Sequence, residues 1–307
     1  MPLKARHTSL HPLLKIAEWL LVMCVSLALA FGLWRLLPVS HGSTGSLLTF
    51  QALQAIALFI VPAMTVAYLW SEQPLQWLHL ADSRSKSGTD SQRLDAGLVM
   101  LSMGIILTAI PLINCLLLWN QSIRLPESMS ALEQVLQRME EQANQMLQGF
   151  LTYRNGAWWM LLINLLVLAV LPAIGEELTF RGVLQGLMTN GSEQAGRSHV
   201  AVWVTAFIFS FVHFQFYGFF PRLLLGVLLG YALAWSGRIG YSIVMHATNN
   251  AASVIVFYLS TFVLYIPQEE LDALGTGSTW WLTAVCTPVM VVLLYLYYKR
   301  SRGHASV

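Results

Sequence analysis

Apolar residues fall into eight runs long enough to cross a bilayer, near residues 14–37, 47–70, 95–119, 157–188, 199–219, 221–236, 240–265 and 279–298, each bounded by charges, Pro/Gly or polar clusters. A hydrocarbon core of about 30 Å takes roughly 20 apolar residues of helix. The pattern therefore predicts an all-α polytopic membrane bundle of about eight transmembrane helices, forming one integral membrane domain over residues 1–307. The fourth run is apolar only in its first half, because Glu176, Glu177 and Arg181 occupy the second. The sixth is short and begins at Pro221.

Two polar stretches interrupt the runs. Residues 71–93 form a loop whose Pro74-Leu75-Gln76-Trp77-Leu78 segment is expected at the membrane interface. Over 126–150, Leu132, Val135, Leu136, Met139, Met146, Leu147 and Phe150 recur at helical spacing, and Pro126, Ser130 and Glu133 resemble a helix start with a capping box. This predicts an external amphipathic helix that lies on the bilayer or packs over the bundle, in preference to a substrate-recognition element. No internal repeat or interdomain linker is visible.

Composition removes the soluble alternatives. Apolar residues make up 56% of the 307 positions and charged residues only 10%, against about 25% charged in soluble domains. That excludes a soluble enzyme, a nucleic-acid-binding domain and a disordered protein, and a net charge of +2 implies no polyanionic partner. Cys24, Cys115 and Cys286 lie apart in apolar runs and read as membrane-buried small hydrophobes, with neither disulfide nor zinc spacing.

The basic loops orient the bundle. Eight spans put Lys4, Arg6, Lys15, Arg84, Lys86, Arg93, Arg197, Arg238, Lys299, Arg300 and Arg302 on one side. Arg124, Arg138, Arg154 and Arg222 fall on the other, with an acidic loop of Glu269, Glu270 and Asp272. Because short loops rich in Lys and Arg stay inside, both termini are expected in the cytoplasm of a multi-pass cell-membrane protein. The first run could also be read as a signal peptide ending at Ala28-Leu29-Ala30, but it continues to Leu37, beyond a usual signal core.

Ionisable groups at membrane depth cost about 2.5 to 3.5 kcal/mol each on insertion scales, so they face the bundle interior and have partners. Here they form three groups. The first is Glu176-Glu177-Leu178-Thr179-Phe180-Arg181, led in by Leu171-Pro172-Ala173-Ile174-Gly175. Glu177 and Arg181 share a helical face and can pair. Glu176 points about 100° away, given 3.6 residues per turn, and without that partner it suits a carboxylate that accepts and returns a proton. Pro172 predicts a kink just before the pair. The second group, Phe209 to His213, is expected deep in the fifth span. The third is His246-Ala247-Thr248-Asn249-Asn250 in the seventh. Together they offer a base, a second water-holding group and a donor pair for a developing oxyanion.

Other readings fit the same residues. From the acidic pair and the arginine alone, an ion pathway reads as well as catalysis, and a lone membrane His is more often an interhelical hydrogen-bonding group. A transporter or a non-catalytic scaffold is thus the alternative function. One Glu and two His also match a three-ligand zinc set, though no HExxH or similar short spacing is present. Gly226, Gly230 and Ala234 recur every four residues, which predicts close packing between helices of the same chain.

The ordered set EExxxR, FxxxH and HxxxN, spread over about 75 residues of successive helices, resembles the CAAX protease and bacteriocin-processing (CPBP, or Abi) family of intramembrane endopeptidases. The resemblance is close over a core at 157–250, and no motif position departs from the pattern. It implies a protease in which Glu176 and His213 activate a water, and His246 with Asn250 stabilises the tetrahedral oxyanion. Glu177 and Arg181 would hold the site in shape, and Phe209 would pack within its motif. The implied mechanism is glutamic and needs no cofactor, with zinc as the competing possibility. The implied partners are a peptide or protein substrate, of CAAX or bacteriocin-like type, and the lipid bilayer.

Overall fold

The computed structural model describes residues 3–81, 94–189, 198–267, 270–271 and 273–303. Arg84, Lys86, Arg93, Arg197, Glu269 and Asp272, used above to orient the chain, lie outside the described residues. Those described form helices and no strand. In chain order they are α1 (Pro12–Leu36), α2 (Thr44–Trp70), α3 (Pro74–Trp77), α4 (Ala96–Gln121), α5 (Ser130–Thr152), α6 (Trp158–Met188), α7 (His199–Phe211), α8 (Phe219–Ser236), α9 (Ile239–Leu264) and α10 (Trp280–Gly303). The architecture is an all-α polytopic membrane bundle. Among the described residues, seven helices are long and apolar enough to span.

The eighth expected span is different. Residues 199–219 are mostly apolar, yet the helix stops at Phe211 after 13 residues, about 20 Å at 1.5 Å per residue. Phe214 then adopts φ 53°, a left-handed conformation rare for a bulky side chain. A 3₁₀ turn at Phe216–Gly218 leads into α8. Leaving the helix inside a bilayer exposes backbone groups that must find partners. The chain supplies them: Asn120 of α4 donates to the Phe216 carbonyl at 3.1 Å and accepts from the Phe220 amide at 3.0 Å, and Ser210 Oγ donates to the Phe219 carbonyl at 2.6 Å. His213 therefore sits on a turn and not deep in a span.

Contacts between helix ends sort the connections onto two faces. On one, the Ala5 amide bonds the Tyr68 carbonyl, the Ile239 amide bonds the His79 carbonyl, and Arg300 of α10 grips Asp95 at the start of α4 with two bonds of 2.7 and 2.9 Å. On the other, Trp34 bonds Ser46, Asn120 bonds the 216–220 turn, and Asn114 bonds the Leu274 carbonyl. Among the described residues, α7 is a shorter apolar helix, and its C-terminal turn lies on the second face with Asn120.

With lipid outside, apolar burial drives little, and close packing with interior hydrogen bonds holds the bundle. Trp19, Val66, Trp70, Leu178, Val183 and Ile239 form one buried cluster between α1, α2, α6 and α9. Ile105, Ile106, Leu225, Leu229, Met245 and Tyr297 form another among α4, α8, α9 and α10. The small-residue stripe of α8 packs where expected: an added Cβ on Gly226 would lie 3.0 Å from the Ala206 Cβ of α7, and one on Gly230 would lie 2.8 Å from Val202. Cys24, Cys115 and Cys286 are free thiols, with Cys24 exposed on the outer surface of α1.

Within the 74–78 segment Leu78 is fully buried against α6 and α9, whereas Leu75 stays exposed. Two local expectations change. α5 follows a 3₁₀ turn at Glu127–Met129, which leaves Ser130 with helical φ and ψ and no side-chain cap, so the capping box does not form. In place of a single kink at Pro172, α6 contains two wider π-helical stretches, Leu165–Val170 and Leu178–Gln185, on either side of the Pro172–Glu177 segment. Wide turns of this kind take up the distortion that a proline imposes and are frequent at functional sites.

Candidate active site

The polar cluster is assembled by α6, α9 and the turn after α7. Glu177 of α6 is wholly buried, and one of its oxygens, Oε1, accepts from Arg181 Nη1 at 2.8 Å and from His246 Nδ1 at 2.8 Å. The first contact is the pair expected from i,i+4 spacing. The second joins positions 69 residues apart. Arg181 Nη2 also donates to the Gly226 carbonyl at 3.0 Å, so a backbone oxygen of α8 shares in balancing the buried cation. Without a side chain at Gly226, α7 and α8 come close enough for this packing.

Phe209 lies at the centre, 1% exposed. The Arg181 guanidinium sits over its ring, 4.7 Å from the centroid. The ring meets Phe180, His213 and His246 edge-on, with centroids 5.2, 5.0 and 5.8 Å away. Its carbonyl receives His213 Nδ1 at 2.6 Å. A carbonyl only accepts, so His213 Nδ1 carries the proton and Nε2 holds the lone pair.

Glu176 occupies the open side. Its Oε2 lies 4.0 Å from His213 Nε2 and 3.8 Å from His246 Nε2, so both imidazoles turn the same nitrogen toward it. Glu176 keeps 14% of its side chain exposed and His213 keeps 29%, whereas Glu177 and Arg181 keep none. Water can therefore reach the first pair and not the second. Asn250 stands one turn beyond His246 on α9. Its Oδ1 accepts from Asn249 at 3.1 Å, leaving its amide nitrogen as a donor, and among the described residues it makes no hydrogen bond to the carboxylate–histidine cluster.

Two imidazoles with Nδ1 held by acceptors and Nε2 left over also have the outer-shell arrangement of metal ligands. Among the described residues, however, no three His, Cys, Asp or Glu side chains are gathered closely enough to hold a metal ion.

Residues 157–252 match the family described as Rce1-like: Type II CAAX prenyl endopeptidase Rce1-like. The matched segment is similar to an Rce1-like protease core and spans less than half of the chain. No curated protein and no solved structure matches the chain. The Rce1-like segment contains all seven candidate residues, Glu176, Glu177, Arg181, Phe209, His213, His246 and Asn250. It is consistent with the CPBP family and supports a CAAX-type intramembrane endopeptidase that acts on a peptide or protein substrate in a membrane environment.

Three polar residues near the cluster escaped the sequence reading. Arg222, in the first turn of α8, donates to the Gln215 side-chain oxygen at 2.8 Å, and Gln215 reaches Glu140 of α5 at 3.5 Å. Glu140 lies outside the spans, and burial holds its carboxyl above the usual carboxylate range, against the pull of Arg222. The signal for Arg222 was present: it is a charge inside the apolar string Phe219-Phe220-Pro221-Arg222-Leu223, and a charge in such a string calls for a partner.

Proposed function

We propose that this protein is a glutamate-dependent intramembrane endopeptidase in which Glu176 and His213 activate the attacking water. The observation that carries the reading is the gap between Glu176 Oε2 and His213 Nε2, 4.0 Å. That is too long for a direct hydrogen bond, and it is the span left by a water making two bonds of about 2.8 Å that meet near a right angle. Glu176 takes the water's proton as the oxygen attacks the scissile carbonyl carbon, then returns it to the leaving amine. His246 and Asn250 face the oxyanion. With Nδ1 on Glu177, His246 can donate from Nε2 only as the imidazolium, and the Glu177 carboxylate balances that charge. Glu177, Arg181 and Phe209 keep the two imidazoles aimed.

The substrate is a peptide or protein of CAAX or bacteriocin-like type. The face that carries the Ala5–Tyr68, His79–Ile239 and Asp95–Arg300 contacts is the cytoplasmic one, with both termini on it and α5 outside, in the cell membrane. Its support is the Lys and Arg excess of the loops on that face. Cysteines introduced singly at residues 238 and 130 should react with an impermeant reagent only from inside and only from outside, respectively. Labelling of residue 238 in intact cells would reverse the orientation.

A quenched peptide library screened with the purified parent and with Glu176→Gln tests the function. Cleavage by the parent that the variant loses is expected. Equal cleavage by both, or none by either, would remove the proposed activity.

A further inference from the structure

The turn that carries His213 is short, includes the left-handed Phe214 and ends at Gly218. Backbone bonds from His213 to Ser210, Phe214 to Phe211 and Gly218 to Gln215 shape it, and Asn120 ties it at Phe216. Arg222 adds a hold at Gln215. Its Nη2 donates to Gln215 Oε1 at 2.8 Å and its Nη1 to the Gln215 carbonyl at 3.4 Å, so one guanidinium grips both the side chain and the backbone of the residue two places after His213. The tip of the guanidinium also approaches Gly218, where an added Cβ would overlap Nη2. On its far side, Gln215 Nε2 reaches Glu140 of α5 at 3.5 Å, and the charge of Arg222 acts on the carboxylates of both Glu140 and Glu176. Tyr217 of the same turn adds a second tie, its hydroxyl lying 3.4 Å from Glu133 and 3.5 Å from Gln137 of α5. A cavity of about 520 Å³ opens beside these ties, lined in part by Glu140, Asn144, Gln145 and Tyr217.

We propose that Arg222 is a positioning residue for hydrolysis: it braces the 212–218 turn so that His213 faces Glu176, and it couples that turn to α5 through Gln215 and Glu140. The inference rests on the proposed function for its catalytic consequence, but the brace itself is a property of the fold. An arginine suits the role because its planar fork can hold two acceptors of one residue at once, which a lysine ammonium does only as a point charge. Arg222 does not itself touch the reacting atoms.

The test compares the full-length parent with Arg222→Gln, Arg222→Lys, Gln215→Ala and Glu140→Gln in lipid nanodiscs, by two measurements. The first is hydrogen–deuterium exchange over residues 212–218, which needs no substrate. Arg222→Gln and Gln215→Ala should exchange there about tenfold faster than the parent, with α6 and α9 unchanged, as expected for local opening. The second is steady-state kinetics on the quenched peptide that the parent cleaves. Arg222→Gln should lower kcat by about 10²-fold with KM within about twofold, the scale for a misplaced reacting group. Arg222→Lys should recover part of that loss. Adding Glu140→Gln to Arg222→Gln should cost nothing further, because the link is already broken. Should Arg222→Gln fail to fold, Gln215→Ala carries both measurements. Unchanged exchange over 212–218, or a rise in KM at constant kcat that makes Arg222 a substrate-binding group, would overturn the proposal. If no peptide is cleaved in a Glu176-dependent way, the proposed function falls, and the exchange comparison alone decides the brace.

Discussion

Glu176 and Glu177 are neighbours on one helix, and their surroundings differ in almost every respect. Glu177 is closed off: it has no exposed surface, an arginine and a histidine share one of its oxygens at 2.8 Å, and the arginine is itself tied to a backbone carbonyl of α8. Glu176 is open: it is partly exposed and approached by two imidazole nitrogens at 3.8 and 4.0 Å, neither near enough to bond it directly. A wholly buried carboxylate pinned by an arginine and a histidine does not offer water-side access to a proton in transit. One with space around it does. The helix thus sets an enclosed carboxylate and an accessible one side by side, and His246 faces both, with Nδ1 on the closed carboxylate and Nε2 toward the open one.

The largest expected effect falls on the closed side. Glu177→Ala leaves Arg181 buried without its carboxylate, and breaking a buried pair in this way costs about 3 to 5 kcal/mol. Thermal unfolding in detergent should show a large drop in Tm together with loss of cleavage. Glu176→Gln, on the open side, should unfold like the parent while losing cleavage. Equal Tm values for Glu177→Ala and the parent would erase the distinction between the two carboxylates.

A smaller effect is expected at Asn250, which stands beyond both. If its amide donates to the oxyanion, Asn250→Ala should lower kcat by about 10² to 10³ with little change in KM, the scale for one lost donor. A change confined to KM would assign Asn250 to substrate binding and leave His246 to act alone.

How much of this was legible in the sequence follows from the range over which each pattern acts. Spans and the Glu177–Arg181 pair are local, set by run length and i,i+4 spacing, and among the described residues the fold shows the pair and seven of the eight expected spans. Motif order placed the seven candidate residues within one matched segment. Where the chain turns inside a mostly apolar run, hydropathy is silent: the partners that satisfy the turn between Phe211 and Phe220 include the Asn120 side chain, about 100 residues away. The His246–Glu177 bond is likewise long-range. Glu177, expected only to pair with Arg181, therefore proves to orient a histidine as well. Arg222 was read as a loop charge because it borders a short span, although its partners Gln215 and Glu140 place it beside the cluster.

The central claim is that an open carboxylate and an imidazole, with no metal, activate the water. The direct measurement is metal content per protein in the active parent, followed by chelation and zinc add-back with cleavage recorded at each step. The account predicts cleavage that follows Glu176 and His213 and is indifferent to chelator. Stoichiometric zinc whose removal abolishes cleavage, and whose return restores it, would contradict the account and make Glu176, His213 and His246 ligands.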